Sequence, residues 1–182
     1  CGKEKLREIV QNVEAQVIGV PTGCQDYYPA LYGGVNAIEL GPEGIKRKPM
    51  AVDAGELGER IVLAYTGAPR ESGINNWEVM KAHIDGERGV YRNFERIAAI
   101  ARAMRAALEK ADWVETGRLL REEWAHRRKN APGITTALID RLVKVSRNQG
   151  AVGAKVCGAA GRGCVALLRR PALRRLRHPL PR

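Results

Sequence analysis

The stretch AKVCGAAGRGCVALL, Ala154–Leu168, decides the fold. Val156 and Cys157 precede a glycine cluster, GAAGRG at Gly158–Gly163, and Cys164 to Leu168 follow it as an apolar run. Apolar flanks around such a cluster read as strand, glycine-rich loop, strand. The loop is not a Walker A motif, because no Gly-Lys-Ser/Thr follows. It is not a dinucleotide fingerprint either, because a strand and not a helix comes after it. Taken alone it reads first as a tight hairpin. Its glycines would also let the backbone approach a phosphate, and successive N–H groups can form an anion nest.

Upstream, the hydrophobic period changes from two to three and four. Thr136–Gln149 fits a helix with Leu138, Ile139, Leu142 and Val143 inward and Gly150 as its stop. Another helix starts at Asp112, with Glu115 completing a capping box, Trp113, Leu119, Leu120 and Trp124 as its apolar stripe, and cations in its last turn. Residues 94–110 repeat Phe94, Ile97, Ala98, Ala101, Met104 and Leu108 at helical spacing, and INNWEVMKAHI, Ile74–Ile84, fits a helix before it. RIVLAYTG, Arg60–Gly67, is the clearest strand, and GGVNAIEL, Gly33–Leu40, is a second. GPEGIKRKPM, Gly41–Met50, reads as a turn-rich connection. Residues 3–19 read as an amphipathic helix with Leu6, Ile9, Val10, Val13 and Val17 near one face. Strands on both sides of a run of helices indicate an α+β fold.

The 182 residues are 45% hydrophobic, enough for a core, and no apolar run approaches the ~20 residues of a membrane span. The charged opening, CGKEKLREIV, has no signal-peptide character and begins with Cys1 in what reads as a helix, as if a start had been lost. The four cysteines form no Cys-x-x-Cys pair and the three histidines are scattered, so no metal-ligand set is expected. Reduced thiols in a cytoplasmic protein are expected instead. The net charge is +11, but the last fourteen residues, RRPALRRLRHPLPR, hold six arginines and no acid, leaving +5 on the other 168. The body is a mixed-charge surface, and with 5% aromatics it offers few stacking platforms, which argues against a nucleic-acid partner.

One carboxylate stands apart. In PTGCQDYYPALYGG, Pro21–Gly34, Asp26 sits in a loop rich in glycine, tyrosine and proline. An aspartate there most often bonds its own backbone. TGAPRESG, Thr66–Gly73, sets Arg70 and Ser72 just past a strand, as a turn or as contacts for an anionic or hydroxylated ligand.

The order of these pieces resembles the GHMP kinases, the family of galactokinase, homoserine kinase, mevalonate kinase and phosphomevalonate kinase. It is most similar to the bacterial branch acting on sugars or sugar phosphates, heptose-phosphate kinases among them. GCQDYYPALYGGVNAIEL looks like that branch's catalytic-aspartate segment, LAYTGAPRESGINNWEVMKAHI like its strand and substrate-side loop, and GAKVCGAAGRGCVALL like the family's third glycine motif. The resemblance spans about residues 3–168 and implies the rest of the reading. Residues 1–57 would be a remnant of the N-terminal kinase domain, 58–168 a ferredoxin-like α/β plait with extra helices, and 169–182 a basic, disordered tail. Asp26 would act as base or polariser of an acceptor hydroxyl. Gly23, Gln25, Arg70 and Ser72 would face the substrate, and Gly158, Ala159, Ala160, Gly161 and Gly163 would lie beside nucleotide phosphates. ATP and Mg²⁺ would serve the complete enzyme, with no metal ligand in this chain and no membrane partner. The alternatives are a mevalonate- or homoserine-type kinase, or a non-catalytic basic fragment binding nucleic acid.

Two departures from the pattern stand out. Ala160 and Arg162 occupy places where the motif usually has more glycine. The family's Pro-x-x-x-Gly-Leu-Gly-Ser-Ser phosphate loop does not occur in the sequence. The chain therefore resembles the C-terminal part of a kinase, and by itself it is expected to be inactive.

Overall fold

The computed structural model describes residues 2–19, 22–67, 72–158 and 163–170, with residues 72–76 through their backbone alone. Two elements open the chain: α1 (Lys3–Ile18) and the short α2 (Tyr27–Tyr32). A hairpin, β1 (Asn36–Gly41) and β2 (Gly44–Pro49), follows, then α3 (Ala54–Arg60) and β3 (Ile61–Tyr65). The helical block is α4 (Ser72–Ile84), α5 (Arg88–Glu109), α6 (Trp113–Arg127) and α7 (Ala137–Asn148), and β4 (Ala151–Val156) with β5 (Cys164–Arg169) closes the described chain.

The strands on either side of the glycine-rich stretch pair antiparallel, as expected of a hairpin. β5 lies in the middle of a three-stranded antiparallel sheet in the order β3-β5-β4, with Val62 opposite Leu167 and Val156 opposite Val165. Helices pack on this sheet. Val156 and Val165 are buried with Trp124 of α6, Ile134 of the loop before α7 and Ile139 of α7, and Leu142, Val143 and Leu167 join them from the edges. A second small core joins α5 to α6 through Ile100, Ala107 and Leu119. This helix-and-sheet arrangement is the α+β fold that the sequence indicates.

α6 lies close against β4 because two glycines meet there. A Cβ on Gly117 would stand 2.9 Å from Val152 Cγ2, and one on Gly153 would stand 3.0 Å from the Gly117 carbonyl. The capping signals hold at atomic detail. Glu115 N–H donates to Asp112 Oδ1 at 2.9 Å and Ile139 N–H donates to the Thr136 hydroxyl at 3.3 Å. Gly150 follows α7 in the left-handed region at φ 93°.

Several expectations need correction. Gly44–Pro49 is not a connection but a strand, paired residue for residue with β1 from Gly41 opposite Gly44 to Asn36 opposite Pro49. Its lysines and arginine hid it, although Ile45 and Arg47 alternate inward as a strand requires. Arg105 of α5 reaches Glu39 of β1 at 2.9 Å and ties the hairpin to the helical block. α3 was also hidden, yet Asp53 caps it through Glu56 N–H at 3.0 Å, the same Asp-x-x-Glu signal as at Asp112. α5 begins at Arg88, well before Phe94, and its buried residues are Val90, Ile100 and Ala107, whereas Ala98 and Ala101 face out. Leu138 likewise points outward.

The largest correction concerns α1. Its apolar stripe is the exposed face, from Leu6 at 40% to Val17 at 79%, while the buried residue is Arg7 at 7%. α2 and the loop before it pack on the polar side of α1, because their tyrosines find carboxylates and a guanidinium there. β3 is the strand expected, but as a sheet edge it leaves Leu63 64% exposed.

Candidate active site

Asp26 takes the N-cap place of α2 at φ −71°, ψ −24°, a helical conformation and not the extended one of a capping residue. Its side chain makes no cap bond, and the residue is exposed. The aspartate sits in a turn but makes no side-chain bond that caps the helix after it. Its carboxylate is not spent on the N–H groups of the helix it precedes. Pro29 is tolerated within α2 because it sits in the first turn, where N–H groups lack an intrahelical partner.

The loop carrying Asp26 is strapped to α1. Gln11 Nε2 donates to the Thr22 carbonyl at 3.4 Å, and the Tyr27 hydroxyl donates to Glu14, with the Thr22 hydroxyl 3.3 Å away. Tyr28 is buried under the Arg7 guanidinium, 5.7 Å from its ring centre, and its hydroxyl donates to Glu4 Oε2 at 3.3 Å. Tyr32 donates to Glu4 Oε1 at 2.7 Å and lies beneath Arg47 at 4.0 Å. Arg7 Nη1 in turn donates to Gln11 Oε1 at 2.6 Å. Burial, then the Glu14 carboxylate and the nearby Asp26 charge, pushes the Tyr27 phenol up, so it stays a donor. The Tyr32 hydrogen bond leads in holding Glu4 below the usual carboxylate range.

The structure places the other expected residues as follows. Gly23 and Gln25 flank buried Cys24 and are exposed. A Cβ on Gly23 would meet only the flexible end of Gln25, 2.9 Å from Oε1, so no packing demands glycine there. Ser72 is the first residue of α4. Gly158 and Gly163 stand at the two feet of the glycine loop at φ 71° and 90°, a region that favours glycine. Arg70, Ala159, Ala160, Gly161, Arg162 and residues 171–182 lie outside the described residues.

Gly163 is bonded to Thr66, a residue that the sequence did not single out. Gly163 N–H donates to Thr66 Oγ1 at 3.0 Å, and Thr66 N–H donates to the Gly163 carbonyl at 2.8 Å. The glycine loop thus starts from the same point as the segment of Arg70 and Ser72. The bonds around the Asp26 loop run instead to α1. The signal for α1 as its support was only the Tyr-Tyr-Pro run after Asp26, which does not name its partners.

The family described as GHMP kinases C terminal matches residues 104–180. That match takes in the last part of α5, α6, α7 and the β4–β5 pair. The chain is 26% identical over 169 residues to a D-glycero-alpha-D-manno-heptose 7-phosphate kinase of Campylobacter jejuni, covering 89% of this chain and 48% of that protein. It is 30% identical over 163 residues to a mevalonate kinase of Aeropyrum pernix, again covering 89% of this chain and 48% of the relative. The solved mevalonate kinase of L. major, in complex with R-mevalonate, shares the fold at a TM-score of 0.76 and 22% identity over 94% of this chain and 51% of that one. The chain spans about half the length of these relatives. No helix among the described residues is long and apolar enough to cross a membrane.

Proposed function

We propose that this chain supplies the acceptor side of an ATP-dependent kinase that phosphorylates a hydroxyl of a sugar or sugar phosphate. The observation that carries this reading is the Asp26 carboxylate, exposed and making no cap bond, on a loop held to α1 by Gln11, Tyr27 and Tyr28. Phosphoryl transfer asks the protein mainly for positioning and charge neutralisation, plus one acceptor for the hydroxyl proton. Asp26 is that acceptor. It receives a hydrogen bond from the substrate hydroxyl, directs the oxygen lone pair toward the transferred phosphorus, and takes the proton as the new P–O bond forms and the P–O bond to the departing ADP breaks. In this reading Gly23, Gln25, Arg70 and Ser72 contact the substrate. The glycine loop with feet at Gly158 and Gly163 supports the nucleotide phosphates.

Among the described residues, no group of three or more His, Cys, Asp and Glu could hold a metal ion. In this reading Mg²⁺ accompanies the ATP phosphates, and no step is assigned to it. Since the chain spans about half its relatives, the chain alone is expected to show no turnover, and the activity belongs to a protein of their length.

The experiment is an ADP-release assay of the longest natural protein containing this chain, against heptose 7-phosphate, galactose, mevalonate and homoserine. Sugar-phosphate-dependent release that falls about 10²–10⁴-fold in Asp26→Asn supports the reading. Turnover retained in that variant removes Asp26 from the role. A mevalonate-type acceptor is the second reading, favoured by the 30% identity to the archaeal mevalonate kinase. Release with mevalonate and not with sugars would establish it.

A further inference from the structure

Two cysteines face each other across the glycine hairpin. The register that sets Val156 opposite Val165 sets Cys157 opposite Cys164 one step further on, and opposed residues of an antiparallel pair project to the same face. The Cys157 N–H donates to the Cys164 carbonyl at 2.8 Å, which makes this a hydrogen-bonded pair. The Cα atoms of such a pair lie about 5.5 Å apart, inside the ~4.4–6.8 Å range that a disulfide spans. Both residues are half-buried thiols, so a small reagent can reach them. The chain leaves the sheet right after Cys157 and re-enters it at Cys164, so the two sulfurs mark the neck of the loop.

We propose that Cys157 and Cys164 form a reversible disulfide that closes the neck of the glycine loop. The oxidant is a low-molecular-weight disulfide. One cysteine thiolate attacks it, forming a mixed disulfide and releasing one small thiol. The second cysteine then attacks its neighbour's sulfur and releases the other small thiol. Two thiol hydrogens leave the protein, two electrons pass to the small disulfide, and one S–S bond replaces another.

The bond is of the labile kind. The Cα spacing fits a disulfide, but the Cβ atoms of a hydrogen-bonded pair stand at the wide end of ~4.5–5.5 Å and must close to ~3.5–4.5 Å to make it. A disulfide formed under such strain is more easily reduced than a structural one. A thiol–disulfide buffer can therefore set its state in both directions. Gly163, next to Cys164, is already held to Thr66 of the third strand's end, so the closed neck would be fixed on both sides. Its consequence for nucleotide phosphates rests on the function proposed above; the bond itself does not.

The test uses the full chain, equilibrated in buffers running from reduced to oxidised glutathione, quenched in acid, then alkylated in denaturant. Trypsin cuts after Lys155, Arg162 and Arg169, so a disulfide joins the peptides Val156–Arg162 and Gly163–Arg169. The expected result is that Cys157 and Cys164 lose alkylation together as the buffer becomes oxidising, that these two peptides appear joined, and that reduced glutathione restores both. In Cys157→Ser and Cys164→Ser the joined species disappears, while Cys24→Ser leaves it intact. The proposal is overturned if both thiols alkylate fully in every buffer. It is also overturned if the products are only glutathione adducts, or if either cysteine links to Cys1 or Cys24 instead.

Discussion

Gly163 and Thr66 are bonded in both directions, N–H to hydroxyl at 3.0 Å and N–H to carbonyl at 2.8 Å, across 97 residues of sequence. One pair therefore joins the end of β3 to the returning foot of the glycine loop. Thr66→Val keeps the shape and the backbone bond but removes the acceptor for Gly163 N–H. The bond is only partly buried, so the loss falls at the low end of the ~1–3 kcal/mol for an unsatisfied group. Thr66→Ser should recover most of it. Denaturant midpoints of the three proteins check this.

Gly117→Ala pits two effects against each other. Alanine in a helix interior favours folding by about 1 kcal/mol over glycine. Here its Cβ would stand 2.9 Å from Val152 Cγ2 and 3.0 Å from the Val152 carbonyl, and the carbonyl cannot move without shifting β4. Overpacking of this kind costs about 1–3 kcal/mol, so the net change is destabilising. Gly58→Ala in α3 meets nothing within 4 Å and should stabilise by roughly 0.5–1 kcal/mol. Thermal melts of the two variants should move in opposite directions.

Lys155 gives the stability a pH dependence. Its ammonium stands 3.1 Å from Glu123 Oε2, as an ion pair and not a directed hydrogen bond, in a largely enclosed place between β4 and α6. Burial, the largest influence, holds its pKa below the ordinary lysine value despite the Glu123 charge. The folded chain then binds fewer protons than the unfolded one between the depressed and ordinary values, so stability rises with pH across that window. Lys155→Met should flatten the rise, as read from unfolding free energies at a series of alkaline pH values.

Gly23 offers a test that separates substrate contact from folding. With only the Gln25 side chain in the way, Gly23→Ala should leave the unfolding free energy within about 0.5 kcal/mol of the parent. If the acceptor approaches that backbone, KM for it should rise while kcat changes little. An unchanged KM takes Gly23 out of the substrate site.

Tyr28 should matter for folding and for the loop together. It is 1% exposed, beneath Arg7, with its hydroxyl on Glu4. Tyr28→Ala should cost about 3–5 kcal/mol, as for other buried aromatic truncations. Tyr28→Phe should cost only the net value of one hydrogen bond, about 1 kcal/mol. Chemical denaturation distinguishes the two.

The helices between Phe94 and Asn148 were legible because their apolar residues recur at helical spacing, and two of them start at Asp112 and Thr136, whose side chains accept an N–H. The glycine hairpin was legible because glycine clusters interrupt apolar runs for few reasons. β2 and α3 were not, since lysine-rich strands and seven-residue helices carry too little periodicity to stand out. Asp26 was found by its place in a resemblance, but Gln11, Glu14 and Thr66 were missed because a supporting side chain leaves no mark until its partner is known.

The sequence by itself determined which segments are helix and strand in the C-terminal block, that glycines guard the last hairpin, and that one aspartate stands apart. Periodicity and turn chemistry are local, so one dimension records them. Only the tertiary structure decided which faces are covered. α1 turns its apolar stripe outward and buries Arg7, because the tyrosines of α2 satisfy the polar side of that helix. It also decided that Asp26 spends no bond on its own helix, and that Cys157 faces Cys164 across the neck of the glycine loop. Burial, pairing and register depend on what lies opposite in space, and no stretch of chain states that alone.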